Sequence, residues 1–114
     1  MIITKKAPFT KKEIKNLQEE FDSYIKTVID LKNKVCSAGC NRHYESEKIL
    51  IGQDSSQKDI WGGGIDIETK EIDFNSFINI RPRDENPSNE ILDENLRKQY
   101  DKLTRFFFGV IYEK

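Results

Sequence analysis

The segment from Gln57 to Pro82 contains two runs of alternating residue type separated by a short polar turn. Successive side chains of a strand point to opposite faces, so residues two apart share a face. In the first run the residues on one face are Trp61, Ile65 and Ile67, and Gly62 and Gly64 leave the other face bare. In the second run the apolar face holds Ile72, Phe74, Ile78 and Ile80, and the polar face holds Asp73, Asn75, Asn79 and Arg81. The segment therefore predicts a β-hairpin with one face in the core and one polar face.

The length and charge of the chain limit what surrounds this hairpin. A chain of 114 residues is the size of one domain, so residues 1–114 are expected to form a single core. Charged residues make up 34% of the chain, yet the net charge is only -1, which argues against a general nucleic-acid binder. No apolar window approaches the roughly 18 residues of a membrane span, and the N-terminus lacks the pattern of a signal peptide. We therefore expect a cytoplasmic protein without a membrane segment.

A second hairpin is predicted between Tyr24 and Gly39. Its first half is rich in β-branched residues, Lys32 and Asn33 supply a turn, and Val35 to Ala38 form the returning strand. Before it, the apolar Met1 to Thr4 reads as an edge strand. The sheet is therefore expected to be antiparallel and built from two β-hairpins.

Three helices are predicted around the sheet. Thr10 and Glu13 have the spacing of a capping box, and Ile14, Leu17 and Phe21 follow it on one stripe. Asn41 is expected to cap a short helix that ends near Ile51. Asp93 is expected to cap a last helix, whose apolar stripe is Leu96, Tyr100, Leu103 and Phe107. The predicted order is β-α-β-β-α-β-β-α, an α+β fold with the N- and C-terminal helices packed on one face of the sheet.

The end of the last helix is apolar nearly all round, because Phe106, Phe108 and Tyr112 lie off its stripe. We expect these residues to carry a homodimer, since a symmetric dimer is the commonest way to cover such a surface. Two alternatives remain. The off-stripe phenylalanines could instead lie under the N-terminal segment of a monomer, or residues 105–112 could form a strand.

The two cysteines, Cys36 and Cys40, form with His43 the pattern C-x3-C-x2-H. This pattern offers three soft ligands but lacks the paired CxxC spacing of structural zinc sites. We expect ordinary thiols in a reducing compartment, with no metal and no cofactor, and a metal at these three residues is the alternative.

Six residues are hard to explain by packing alone and are the candidates for binding a ligand: His43, Glu47, Asp59, Trp61, Asn79 and Arg81. His43 and Glu47 lie four apart, on one helix face. Arg81 could clamp a carboxylate or phosphate with two hydrogen bonds. The competing structural roles are an ion pair of Arg81 with Asp59 or Asp73, a satisfied pair of His43 with Glu47, and a core position for Trp61.

Several of these residues also fall in short motifs. The succession of His43 with Glu47, then Asp59-Ile-Trp61-Gly, then Ser76-Phe-Ile-Asn79-Ile-Arg81-Pro82, resembles a small prokaryotic family of domains of unknown function. The resemblance covers most of the chain, from about Thr10 to the last helix. The chain departs from that family's pattern at Cys40, where a glycine is usual, and at Gly64, where an asparagine is usual. The resemblance implies kinship of fold and a short list of residues, and no activity.

Two classes of function follow from these observations. The first is a small module that binds a small anionic ligand or a protein and self-associates. The alternative is a small enzyme that uses His43, Glu47, Asp59 and Arg81 on an anionic substrate. The sequence holds no nucleophile elbow, no phosphate-binding loop and no H-E-x-x-H motif.

Overall fold

The computed structural model describes residues 1–113, in which there are five strands and three α-helices. The strands are β1 (Ile3–Lys5), β2 (Tyr24–Asp30), β3 (Val35–Ala38), β4 (Ile60–Asp66) and β5 (Ile72–Asp73). The helices are α1 (Lys11–Phe21), α2 (His43–Gly52) and α3 (Glu94–Phe107). The order along the chain is the predicted one, and the α+β class is confirmed.

All five strands lie in one antiparallel sheet, in the order β1-β3-β2-β4-β5. The pairs β2–β3 and β4–β5 are the two predicted hairpins. They are joined by β2 and β4, which pair along their full length from Tyr24 opposite Asp66 to Asp30 opposite Ile60. The short β1 extends the sheet on the outer edge of β3. The sheet is therefore the two expected hairpins plus one edge strand.

Helices α1 and α3 pack on the same face of this sheet, as predicted. Ile25 and Ile29 of β2 share a buried cluster with Leu17 of α1 and with Tyr100 and Phe107 of α3. The Tyr100 hydroxyl donates to the carbonyl of Thr27 at 2.9 Å. The Thr27 hydroxyl lies 2.6 Å from the Tyr100 hydroxyl. These hydrogen bonds satisfy the polar atoms that α3 brings into the core.

Helix α2 covers the opposite face of the sheet. Its Leu50 is fully buried in a second cluster with Val28, Val35 and Ile60. Nearer the start of the helix, the Ser37 hydroxyl of β3 donates to Ser46 at 2.8 Å. Helices therefore cover both faces of the sheet. The first turn of α2 lies over the middle of β4, where His43 contacts the glycines.

The helix starts agree with the sequence in two of three cases. The capping box of α1 is present, with Thr10 N donating to the Glu13 carboxylate and Glu13 N donating to the Thr10 hydroxyl. Asp93 caps α3 by accepting from Leu96 N. The predicted cap at Asn41 is wrong by one residue, because α2 begins at His43 and the residue before it is Arg42.

No helix in residues 1–113 has the length and apolar character needed to cross a membrane.

The second strand of the central hairpin is much shorter than predicted. β5 ends at Asp73, and residues 74–92 are irregular apart from short 3-10 turns such as Phe77–Asn79. Ile80 is consequently 44% exposed and does not share a core face with Ile72. The predicted polar face is wrong as well, since the side chains of Asn79 and Arg81 turn back onto β4.

The chain after α3 is helical and not a strand. α3 ends at Phe107 and a 3-10 turn follows over Gly109–Tyr112, so the strand alternative for residues 105–112 is wrong. Phe108 is fully buried and its ring centroid lies 4.9 Å from that of Phe9. Phe106 remains half exposed. The N-terminal segment thus covers one of the two off-stripe phenylalanines, and the homodimer prediction now depends mainly on the other.

Candidate functional site

A cavity of about 400 Å³ opens on the α2 side of the sheet. Its walls come from three parts of the chain. They are the start of β2, residues 41–44 at the start of α2, and residues 75–78 and 89 of the irregular segment. The volume lies in the range of about 300–1,000 Å³ that is usual for small-molecule sites. We call it the basic cavity, for the side chains described next.

Three basic side chains and no acidic one line this cavity: Lys26, Arg42 and His43. Lys26 is half-buried in the central strand, and Arg42 is exposed at the cavity rim. Neither forms an ion pair with an acidic group in residues 1–113. The carboxylate of Asp73 lies close by, where it accepts hydrogen bonds from the Tyr24 hydroxyl and from Asn75 N. The basic cavity is therefore lined by two permanent cations, Lys26 and Arg42, with the Asp73 carboxylate beside it.

The imidazole of His43 is held in one orientation. Its Nε2 lies 2.7 Å from the carbonyl oxygen of Gly63. A carbonyl can only accept, so Nε2 carries the proton and the neutral ring has its lone pair on Nδ1. Burial lowers the pKa of His43, and the nearby charge of Lys26 acts in the same direction. Nδ1 has no hydrogen-bond partner in residues 1–113 and is not buried, so it can accept a proton or a hydrogen bond from a ligand.

Glycines in β4 make room for this arrangement. A Cβ on Gly62 would lie 2.6 Å from the Ser76 side chain and 3.1 Å from the His43 ring. A Cβ on Gly64 would lie 2.2 Å from the Tyr24 hydroxyl. All three distances are below van der Waals contact, so side chains here would displace the residues that line the basic cavity. Gly62 and Gly64 do share one face of β4, as the sequence predicts, and side chains from other segments fill the space that they leave.

Of the six residues that the sequence singled out, His43 alone lines the basic cavity. Asn79 is fully buried and its amide is used inside the protein. Its oxygen accepts from Gly62 N at 2.8 Å, and its nitrogen donates to Gly62 O at 2.9 Å. Asn79 thus pairs with β4 as the backbone of a neighbouring strand would.

Arg81 has a similar role at Ile60, two residues before Gly62 in β4. Its guanidinium donates to the carbonyls of Ile60, Gln57 and Ile78. Its central carbon also lies 4.1 Å from the ring centroid of Trp61, which is itself a buried core residue. Burial lowers the pKa of Arg81, and the charges of Glu47, Asp84 and Asp59 oppose this.

The remaining candidates lie at the Arg81 end of β4 and not in the basic cavity. Asp59 directly precedes β4 and its backbone oxygen accepts from Leu31 N. Glu47 has one carboxylate oxygen that is buried without a hydrogen-bond partner in residues 1–113. The charges of Glu47 and Asp59 both act on Arg81, so these three residues lie near one another, whereas His43 lines the basic cavity.

The cysteines are buried free thiols in the structure. Burial raises the pKa of Cys36 and of Cys40, which keeps both thiols protonated and weakly nucleophilic. Within residues 1–113 there is no group of three His, Cys, Asp or Glu side chains placed to hold a metal. Neither thiol lines the basic cavity.

Sequence reasoning missed most of the residues that line the basic cavity. Lys26 and Arg42 lie in separate segments, and the alternation from Ile72 to Ile80 predicts a strand at Phe77 and not a cavity wall. One signal was available, because Lys26 is a charged residue between Ile25 and the apolar positions of a central strand. A central strand covered on both faces is normally apolar. A lysine in such a strand therefore indicates that its ammonium either reaches solvent or has a functional role.

Comparisons with known proteins agree with the resemblance noted in the sequence. No curated protein and no solved structure matches the chain. The chain does match a protein family over residues 1–107, which is nearly its whole length. It therefore belongs to the family described as protein of unknown function DUF5674.

Proposed function

We propose that the protein is a small binding domain that holds an anionic ligand in the basic cavity. The observation that carries this proposal is Lys26, a half-buried cation that lines the cavity, has no acidic partner in residues 1–113 and contacts only the face of the Tyr24 ring, 5.7 Å from its ammonium. The ammonium is not among the buried atoms, so it is open to a ligand, and an anion oxygen forms a stronger, charge-assisted hydrogen bond with it than an aromatic ring can. An anion bound in the basic cavity would give Lys26 the acidic partner that residues 1–113 do not provide.

Two further features favour an anion. Arg42 presents a guanidinium fork at the rim of the same cavity, and this group matches the oxygens of a phosphate or carboxylate. The positive end of the α2 dipole also lies there, since His43 is the first residue of the helix. The cavity wall contributes no acidic side chain that would repel the ligand.

The proposal is tested by calorimetric titration with inorganic phosphate and with ribose 5-phosphate. We expect Lys26→Gln to weaken binding by about tenfold or more, because it removes one charge-assisted hydrogen bond. The matched control is Lys32→Gln, which removes the same charge from an exposed position in the turn of the same hairpin. The control should bind as the wild type does.

Two results would contradict the proposal. One is the absence of measurable binding of either phosphate at millimolar concentration. The other is equal binding by the wild type and Lys26→Gln, which would place the ligand elsewhere.

A second candidate is an enzyme that uses the same cavity, with His43 as a general base. The observation that favours it is the bond from Nε2 to Gly63, which orients the ring and leaves Nδ1 open. His43→Gln should then abolish turnover of a phosphorylated substrate while leaving its binding nearly unchanged. Equal turnover by the variant would reject this role for His43.

Two other expectations also stand as proposals. A cytoplasmic location fits the two buried free thiols, which need no oxidising compartment. Self-association through α3 depends on the half-exposed Phe106, and the partly buried Tyr112 is the other residue expected to contribute to it.

A further inference from the structure

The side chain of Phe77 is 85% exposed, the largest exposed fraction among the large apolar side chains of residues 1–113. Phe9, Phe107 and Phe108 are fully buried in the same molecule. Phe77 also lines the basic cavity. An exposed aromatic ring at the edge of a cavity is a common platform for a flat ligand.

The position of Phe77 is fixed by its neighbours. The Ser76 hydroxyl accepts from Ile78 N, which closes the 3-10 turn that begins at Phe77. Two residues on, Asn79 is anchored to Gly62 by both its amide oxygen and its amide nitrogen. The ring is therefore held out in solvent by a rigid backbone.

A second aromatic ring lines the same cavity from the α2 side. Tyr44 is 52% exposed and follows the basic residues Arg42 and His43 directly. The cavity thus combines exposed aromatic faces with cations, which suits a ligand that has a flat apolar part and an anionic part.

Three side-chain amides also line the cavity: Asn41, Asn75 and Asn89. All three residues are exposed, and none of these side chains hydrogen-bonds to another group in residues 1–113. An amide offers both donors and an acceptor, which is the set that pairs with the edge of a nucleobase.

From these features we infer that the ligand is a nucleoside monophosphate, with its base on Phe77 and its phosphate at Lys26 and Arg42. This inference rests on the proposed anion site. The cavity of about 400 Å³ is of a size for one small ligand, and the net charge of -1 opposes binding of a long polyanion.

The experiment compares four mononucleotides (AMP, GMP, CMP and UMP) with ribose 5-phosphate by calorimetric titration. We expect the best mononucleotide to bind about tenfold more tightly than ribose 5-phosphate, which is within the range for stacking one base. Phe77→Ala should remove this advantage and leave the affinity for ribose 5-phosphate unchanged. The matched control is Phe106→Ala, which shortens another exposed phenylalanine that lies outside the basic cavity.

The outcomes separate the inference from the proposed function. If mononucleotides and ribose 5-phosphate bind equally and both depend on Lys26, the nucleotide inference is wrong and the anion site stands. If none of these compounds binds, both are wrong. Tighter binding of a hexanucleotide per site than of the best mononucleotide would overturn the inference in favour of a single-stranded nucleic acid.

Discussion

At the scale of single residues, Asn79 and Arg81 complete a sheet edge that the backbone leaves open. β5 covers β4 only at Gly64 and Ile65. Two positions earlier, Gly62 receives its hydrogen bonds from the Asn79 amide, and the carbonyl of Ile60 receives one from Arg81. Ile60, Gly62 and Gly64 are alternate residues of β4, and alternate residues of a strand point their backbone N–H and C=O groups to the same side. The two side chains therefore replace a strand, and unpaired backbone groups are avoided.

The role of Arg81 can be measured through stability. Arg81→Ala leaves three backbone carbonyls without their donor, so we expect it to lower the free energy of unfolding by about 3 kcal/mol. Arg83→Ala is the control, because Arg83 is exposed two residues away. Urea unfolding of both variants tests this prediction. If Arg81→Ala is as stable as Arg83→Ala, Arg81 has no structural role and is again a candidate for binding a ligand.

His43 is expected to make stability depend on pH. Because burial lowers the pKa of His43 below 6.5, the folded protein binds the proton less readily than the unfolded chain does. The contribution of the neutral ring is complete above pH 6.5 and is lost as the pH falls to the lowered pKa. Urea unfolding at pH 7.5 and pH 5.5 should show a larger loss for the wild type than for His43→Asn. Equal losses would show that the pKa of His43 is not shifted.

At the scale of elements, residues 74–92 are ordered without regular secondary structure. Three side chains hold the segment together: Asn79, Arg81 and Asn86. Asn86 is buried, its nitrogen donates to the carbonyls of Asn79, Ser88 and Glu90, and its oxygen accepts from Leu92 N. Irregular segments longer than about 12–15 residues are uncommon in small domains and often carry function. This one supplies a whole wall of the basic cavity.

The element β4 depends on its triple glycine. A Cβ on Gly63 would lie 2.3 Å from the carbonyl oxygen of Asp73 and 2.9 Å from the Tyr100 ring. Backbone cannot move aside as a flexible side chain can, so we expect Gly63→Ala to cost about 1–3 kcal/mol of stability. Gly52→Ala is the control, because nothing lies within 4 Å of the added carbon at the end of α2. Thermal unfolding compares the two, and similar melting temperatures would contradict the close approach.

At the scale of the whole molecule, the predictable features are the local ones. The capping box at Thr10, the cap at Asp93 and the turn after Asp30 depend on groups a few residues apart, and such patterns can be read from the sequence. The end of β5 could not be read, because the alternation from Ile72 to Ile80 imitates a strand. What stops the strand is Asn79 bonding to Gly62, a contact across 17 residues.

The candidate site was predictable only in part for the same reason. His43 was found because it is the single histidine of the chain. Lys26, Arg42 and Phe77 come from three distant segments, and nothing in their local patterns joins them. The sequence predicts Arg81 at a ligand, because an arginine at a strand end has the same local pattern whether it faces a ligand or a backbone carbonyl. The fold decides between these roles.

The oligomeric state also belongs to this scale. The sequence predicts a homodimer through Phe106, Phe108 and Tyr112, but Phe108 is fully buried against Phe9 in the subunit itself. What α3 still offers to a second copy is chiefly the half-exposed ring of Phe106. A standard interface buries about 800 Å² on each partner, whereas one aromatic ring supplies at most about 250 Å². Any dimer through this surface should therefore be weak.

Light scattering between about 10 µM and 1 mM tests this expectation, since a weak dimer dissociates by mass action on dilution. The wild-type mass should rise towards that of two chains with concentration, and Phe106→Glu should keep it at one chain, because a dimer would have to bury the new carboxylates. Phe77→Glu is the matched control, because it places the same charge on an exposed phenylalanine of the opposite face of the sheet. A wild-type mass of one chain throughout, or loss of the dimer in the control alone, would exclude association through α3 and leave Phe106 as an ordinary exposed side chain.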